Sequence, residues 1–262
     1  MRGRLTFLLA TIALVLGACG PAAKGPGQTT VNATVNAADY DAFWLWAGVT
    51  PQPVMAKAKT LYILQGQVGF SPDDPTATGH LIAQGGAMPR VRTGAIWIAY
   101  RVHTLNWPPE TYAQILRQWR QWQAAGLPVA GIQIDFDART RHLDQYQAFL
   151  RDLRRRLPPE CKLSITGLLD WSSSGDSTVL NGLNGVVDDV VLQTYQGRHT
   201  IPGYQAYLAS LSRLKVPFRI GLAQGGDWSP PPSLAANPNF RGYVVFLQNP
   251  APSSRSTIKK VP

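Results

Sequence analysis

The chain has 262 residues, with 25 Lys and Arg against 15 Asp and Glu, a net charge of +10. Hydrophobic residues make up 45% and charged ones only 15%, enough to bury a sizeable core, which excludes a disordered chain. Two cysteines exclude a disulfide framework, and the four histidines (His80, His103, His142, His199) lack zinc-ligand spacing, so no metal or other cofactor is expected.

Arg2 and Arg4 open the chain, and Leu5 to Leu16 is an almost unbroken apolar run. It is shorter than the roughly 20 residues a membrane-spanning helix needs. The run ends in Leu16-Gly17-Ala18-Cys19, which resembles the lipobox of bacterial lipoproteins. The resemblance implies a signal peptide over residues 1–18, cleavage before Cys19, and lipid on Cys19; a plain signal peptide with a chance cysteine is the alternative. Gly20 rather than Asp follows, which in that family favours the outer membrane, facing the periplasm. Residues 19–39 hold Gly, Pro, Ala, Thr and Asn with few large apolar side chains, the composition of a flexible tether. Residues 40–262 remain for a single domain. With Cys19 lipidated, Cys161 is left without a partner and is expected to be buried and inert at the start of a strand.

The basic surplus outlasts the loss of Arg2 and Arg4. An exported chain has no nucleic acid to meet, so the charge suits anionic polysaccharide, lipid headgroups, or merely a solvated basic face.

Eight short runs rich in Val, Ile, Phe, Trp and Tyr follow: Phe43–Val49, Thr60–Val68, Ala95–Val102, Gly131–Asp137, Leu163–Leu169, Asp188–Tyr195, Pro217–Ala223 and Gly242–Asn249. Their near-continuous apolar character predicts strands covered on both faces. Helical spacing occupies Glu110–Ala125, Leu143–Leu157 and Gly203–Leu214. Ser71–Gly94 shows no clear helix and could hold a hairpin. Strand, helix, strand in alternation predicts parallel βαβ units. Eight such strands favour an α/β fold of the (β/α)8 TIM-barrel type with some short or missing helices, over an open doubly wound sheet.

Function in such a barrel collects at the C-terminal ends of the strands. Positions two apart on a strand share a face, so Gln133, Asp135 and Asp137 should form one row toward the barrel axis. Neighbouring carboxylates there are costly unless paired or used, and closeness raises the pKa of one, which suits a general acid. The competing expectation is a structural pair bonded to backbone amides and an arginine. Asp170 and Asp227 also fall at strand ends, while the only two glutamates, Glu110 and Glu160, are badly placed. Acid catalysis would therefore fall to aspartates, with Asp170 as candidate second carboxylate beside Asp137. About 5 Å between them would imply retention, and about 6.5–9.5 Å inversion. Trp46, Trp171, Tyr195 and Trp228 at strand ends suit the flat C–H faces of sugars, although any one of them could equally pack in the core. Arg101 shares the parity of Trp97 and could hold the aspartates ionised or bind an anion; an outward, salt-bridged side chain is the alternative. Gln193, Gln224 and Gln248 add neutral hydrogen bonding.

The segment Ala130-Gly131-Ile132-Gln133-Ile134-Asp135-Phe136-Asp137 resembles strand four of the chitinase-like barrels of glycoside hydrolase family 18, Asp-Gly-x-Asp-x-Asp-x-Glu. The match places the Gly on Gly131, the third Asp on Asp135 and the catalytic Glu on Asp137, while Ala130 and Gln133 replace the first two aspartates. Gln193-Thr194-Tyr195-Gln196 is similar to that family's Met-x-Tyr-Asp, with the Tyr kept at Tyr195. The resemblance implies that Tyr195 and Asp135 steady the substrate. As a whole the chain looks like a family of bacterial lipoproteins classed as a domain of unknown function within the glycosidase-barrel group. Phe43-Trp44-Leu45-Trp46, Leu169-Asp170-Trp171, Gln193-Thr194-Tyr195-Gln196-Gly197 and Gly221-Leu222-Ala223-Gln224-Gly225-Gly226 carry that impression.

These features predict a monomeric, lipid-anchored glycoside hydrolase or transglycosylase acting on a polysaccharide in the cell envelope. Asp137 would be its general acid/base. The alternatives are a glycan-binding lipoprotein with a degenerate site, or a scaffold for an envelope export complex.

Overall fold

The structure is a computed structural model that describes residues 33–46, 48–70, 78–84, 94–136, 143–169, 171 and 180–250. These residues fall in one compact unit that begins at Asn32. Eight strands form its barrel: β1 (Ala42–Leu45), β2 (Thr60–Phe70), β3 (Ala95–Val102), β4 (Val129–Asp135), β5 (Lys162–Leu168), β6 (Asp189–Gln193), β7 (Phe218–Ala223) and β8 (Phe240–Phe246). Each pairs in parallel with the next, and β8 pairs with β1, which closes the ring. This is the α/β barrel that the eight apolar runs predicted.

The runs are continuous because each strand has two dry faces. One face packs outward: Ile96, Ile98, Ile132, Ile134, Leu163 and Ile165 join Ile115, Trp119 and Trp122 of helix α1 (Pro109–Ala124) and Tyr146, Phe149 and Leu150 of α2 (Leu143–Arg156). The other face fills the barrel, where Ala42, Trp44, Tyr62, Trp97, Val191 and Val244 form a separate buried cluster. Two glycines make this packing possible. A Cβ on Gly131 would lie 2.0 Å from the backbone oxygen of Lys162, because β4 and β5 approach closely there. A Cβ on Gly221 would lie 2.7 Å from the Trp44 indole. Cys161 is buried just before β5, and burial pushes its thiol up to about 12.

Several elements differ from the sequence expectation. The third helix is short, Tyr204–Leu208, and continues as a 3-10 turn over Ala209–Arg213. Gly79–Ala83, inside the Ser71–Gly94 segment, pairs antiparallel with Gly66–Phe70 of β2, so the hairpin anticipated within that segment has its first arm in β2 instead. Ala33–Thr34, inside the expected tether, pairs with Asp227–Trp228, so at least this part is docked on the domain.

The N-terminal end of the barrel is closed by a polar plug. Asp189, at the start of β6, accepts from Arg219 Nε at 3.1 Å and lies 3.4 Å from the Tyr62 hydroxyl. Burial holds its carboxyl above the ordinary value, against the opposing pull of the Ser164 hydroxyl and Arg219. Arg219 Nη1 in turn donates to the Arg241 carbonyl at 2.7 Å.

Candidate functional site

At the opposite, C-terminal end, register brings β3 and β4 together so that Arg101 lies beside Asp135. Arg101 Nε donates to Asp135 Oδ2 at 3.0 Å, and Thr166 on β5 donates its hydroxyl to Oδ1 at 2.8 Å. The Asp135 side chain is sealed from solvent, whereas 40% of the Arg101 side chain is exposed. Held between these two donors with no exposed surface, the carboxylate is shielded from any substrate.

Above the pair lies a cleft of about 610 Å³. Trp46, Phe246, Tyr195, Leu168 and Ile201 supply its apolar wall; Arg101, Gln193 and Gln196 supply its polar groups. The aromatic rings brace one another. Tyr195 stacks on Phe246 with centroids 5.5 Å apart, Trp46 meets Phe246 edge-on at 5.7 Å, and buried Trp44 supports Trp46 and Tyr195 from beneath. Tyr195 reaches this position because the chain turns at the end of β6. Thr194 is buried and donates to the Gly221 carbonyl at 2.8 Å, and Tyr195–Gln196 then pairs with His199–Thr200 as a small hairpin.

Residues 95–223 match the family model described as a domain of unknown function, DUF3142. The matched stretch runs from β3 to β7 and includes Arg101, Asp135, Thr166 and Tyr195. No curated protein matches the chain. Among solved structures it is similar to the spore cortex-lytic enzyme SleL of Bacillus cereus (17% identity, 70% of this chain and 49% of that one, TM-score 0.42). It therefore spans about half the length of the SleL chain. It is also similar to the chitinase domain of the spore coat protein CotE from Clostridium difficile (14% identity, 78% and 68%, TM-score 0.44). A third similar structure is the xylanase-α-amylase inhibitor protein XAIP-III (10% identity, 79% and 93%, TM-score 0.48).

The cleft unites Trp46, Arg101, Gln193 and Tyr195 from the sequence-derived set, and places Asp135 beneath them. Five others among the described residues do not reach it. Gln133 faces the barrel axis, as its parity requires, but it is fully buried: it accepts from Trp44 Nε1 at 2.6 Å and donates to Ser164 at 3.0 Å, so it serves the core. Trp171 is fully buried against Tyr146 on the outer side of the barrel. Trp228 is buried by stacking on Tyr204 at 4.9 Å, next to the strand pairing with Ala33.

Gln224 and Gln248 line a separate cleft of about 470 Å³ with Gln52, Arg198 and Asn249. There the amides of Gln52 and Gln224 bond to each other reciprocally, at 2.9 and 3.0 Å, and Gln224 also accepts from the Gln248 backbone at 2.9 Å. Asp137, Asp170 and Cys19 lie outside the described residues.

Sequence reasoning missed Phe246, Leu168 and Thr166. Phe246 is two residues beyond the inward Val244 and Thr166 two beyond the inward Ser164, so strand parity alone could have found both.

Proposed function

We propose that the barrel binds a glycan chain in the cleft at its C-terminal end. One observation carries this: Trp46, Tyr195 and Phe246 form a braced aromatic wall that faces Arg101 and Gln193 across an open cleft. Aromatic faces cover the C–H faces of sugars, while planar amides and a guanidinium take the hydroxyls. The described carboxylate nearest the cleft, Asp135, is sealed and held by Arg101 and Thr166, an arrangement that supports recognition more than proton transfer.

Binding is tested with a glycan array, followed by calorimetry on each hit. Trp46→Ala and Phe246→Ala should each weaken binding by about ten-fold, the scale of one aromatic contact, without loss of fold. Unchanged affinity in both variants would sink the proposal.

A second reading, cleavage of the bound glycan, draws support from the inward row of Gln133 and Asp135, in which Asp137 is the next position of the same parity. In that reading Asp137 is the general acid/base and Asp170 the second carboxylate. New reducing ends that disappear in Asp137→Asn while binding persists would establish it; their absence in the wild type would leave recognition alone.

The protein would work at the cell envelope, anchored by lipid on Cys19. Full-length protein should partition into detergent on phase separation, and Cys19→Ala should move it to the aqueous phase.

A further inference from the structure

We infer that the cleft selects a glycan bearing acid groups, and that Arg101 is the residue that holds the acid. The inference rests on the glycan reading above and adds the charge of the ligand to it.

Arg101 is fixed from beneath. Its Nε is taken by Asp135 Oδ2, and the other carboxylate oxygen is taken by Thr166. Asp135 has no exposed side-chain surface, so it orients the guanidinium from below without presenting its own charge to the cleft. The terminal nitrogens of Arg101 make no hydrogen bond to any described residue, yet the side chain lines the cleft and is 40% exposed. A guanidinium held at Nε with its Nη edge free is a preorganised fork for an oxyanion, and it binds carboxylate or sulfate with two parallel hydrogen bonds. No described residue lining the cleft carries a negative charge. The rest of the wall is Trp46, Tyr195 and Phe246, which fits the ring of the same sugar.

Arg219 shows that such a fork need not stay open in this fold. It also binds an aspartate through Nε, but its Nη1 is spent on the Arg241 carbonyl. The basic surplus, +10 for the whole chain and still +8 (23 against 15) without Arg2 and Arg4, adds a long-range pull on a polyanion.

The experiment presents the full chain, purified in detergent, to an array of matched glycans. Oligogalacturonates are set against their methyl esters, sulfated cello-oligosaccharides against the unsulfated ones, and chito-oligosaccharides serve as neutral references. Wild type should bind the acidic member of a pair at least ten-fold more tightly, with affinity that falls as salt rises. The pair that discriminates tells whether the acid is a carboxylate or a sulfate ester.

Arg101→Lys keeps the ion pair but loses the planar fork, and should lose about ten-fold on the acidic member only. Arg101→Gln alone removes the cation beside a sealed carboxylate and could unfold, so R101Q is combined with D135N; that double variant should bind both members equally. Arg219→Lys should leave binding unchanged. Equal binding of acidic and neutral members by wild type, or acid preference that survives in both Arg101 variants, would overturn the charge inference while the glycan reading stands. Wild type that binds nothing on the array would overturn both.

Discussion

The barrel holds two arginine–aspartate pairs built to nearly the same plan at opposite ends. In each, an Nε donates to an Oδ2, at 3.1 Å for Arg219–Asp189 and 3.0 Å for Arg101–Asp135. Their surroundings differ. The Arg219 side chain is 25% exposed, is tied to the Arg241 carbonyl, and sits over an interior packed with Tyr62 and Trp97 stacked 5.7 Å apart. The Arg101 side chain is 40% exposed and opens on a cleft. An ion pair therefore does not say what it is for. What decides is whether the remaining donors of the arginine are consumed by the protein or left facing a space that a ligand can fill.

The largest effect that would sharpen this contrast concerns backbone slack at the two ends. Toward the closed end, Gly131→Ala would place a Cβ 2.0 Å from the Lys162 oxygen, a clash that only separation of β4 and β5 relieves. A loss of about 3 kcal/mol or more is expected, visible as a lower urea midpoint or failure to accumulate. At the open end Gly197, in the turn of the Tyr195–Thr200 hairpin, has φ of +59° and nothing within 4 Å of the added Cβ. Gly197→Ala should cost only about 1 kcal/mol, the strain of a left-handed residue. Equal losses would mean that the two ends do not differ in rigidity.

Next in size are the pairs themselves. Removing one partner of a buried pair costs up to about 3–5 kcal/mol, less where the lost partner is partly solvated. Arg219→Gln, whose side chain is partly solvated, should fall at the lower end of that range, about 3 kcal/mol, because it also strips the Arg241 carbonyl of its donor. Arg101→Gln should cost less, because Asp135 keeps Thr166 and the lost guanidinium was more exposed. Paired urea titrations decide the order. If R101Q proved the more damaging, Arg101 would be a structural strut and the distinction between the ends would collapse.

Much of this was legible in the sequence. Eight barrel strands stand out because each is dry on both faces, and the inward parity of Gln133 and Asp135 follows from a period of two. What the sequence conceals is non-local. Trp171 and Trp228 follow strands, but one is captured by Tyr146 of α2 and the other by Tyr204 beside the Ala33 pairing, contacts that no local pattern announces. The apolar pattern runs the last strand on to Asn249 and so puts Gln248 at its end; β8 stops at Phe246, so the ring reaches the cleft and the amide goes to the neighbouring one. Phe246 was overlooked because an aromatic residue in an apolar strand looks like core. Gln133 shows the converse: right face, wrong depth.

The smallest expected effect is a pH dependence that separates the ends. Burial raises the folded-state pKa of Asp189 above its ordinary value of 3.8. A folded state that holds its proton more tightly than the unfolded chain is favoured at low pH. That contribution is complete below the unfolded value and is lost as pH rises through the folded one. Asp189→Asn has no proton to lose at this position. Relative to the asparagine variant, wild type should therefore weaken as pH rises from about 4 toward neutrality. Urea midpoints of the two proteins across that range give the answer directly. If their difference stayed flat, the attraction of Arg219 and Ser164 would fully offset the burial of Asp189, and the plug would be a balanced ion pair rather than a strained one.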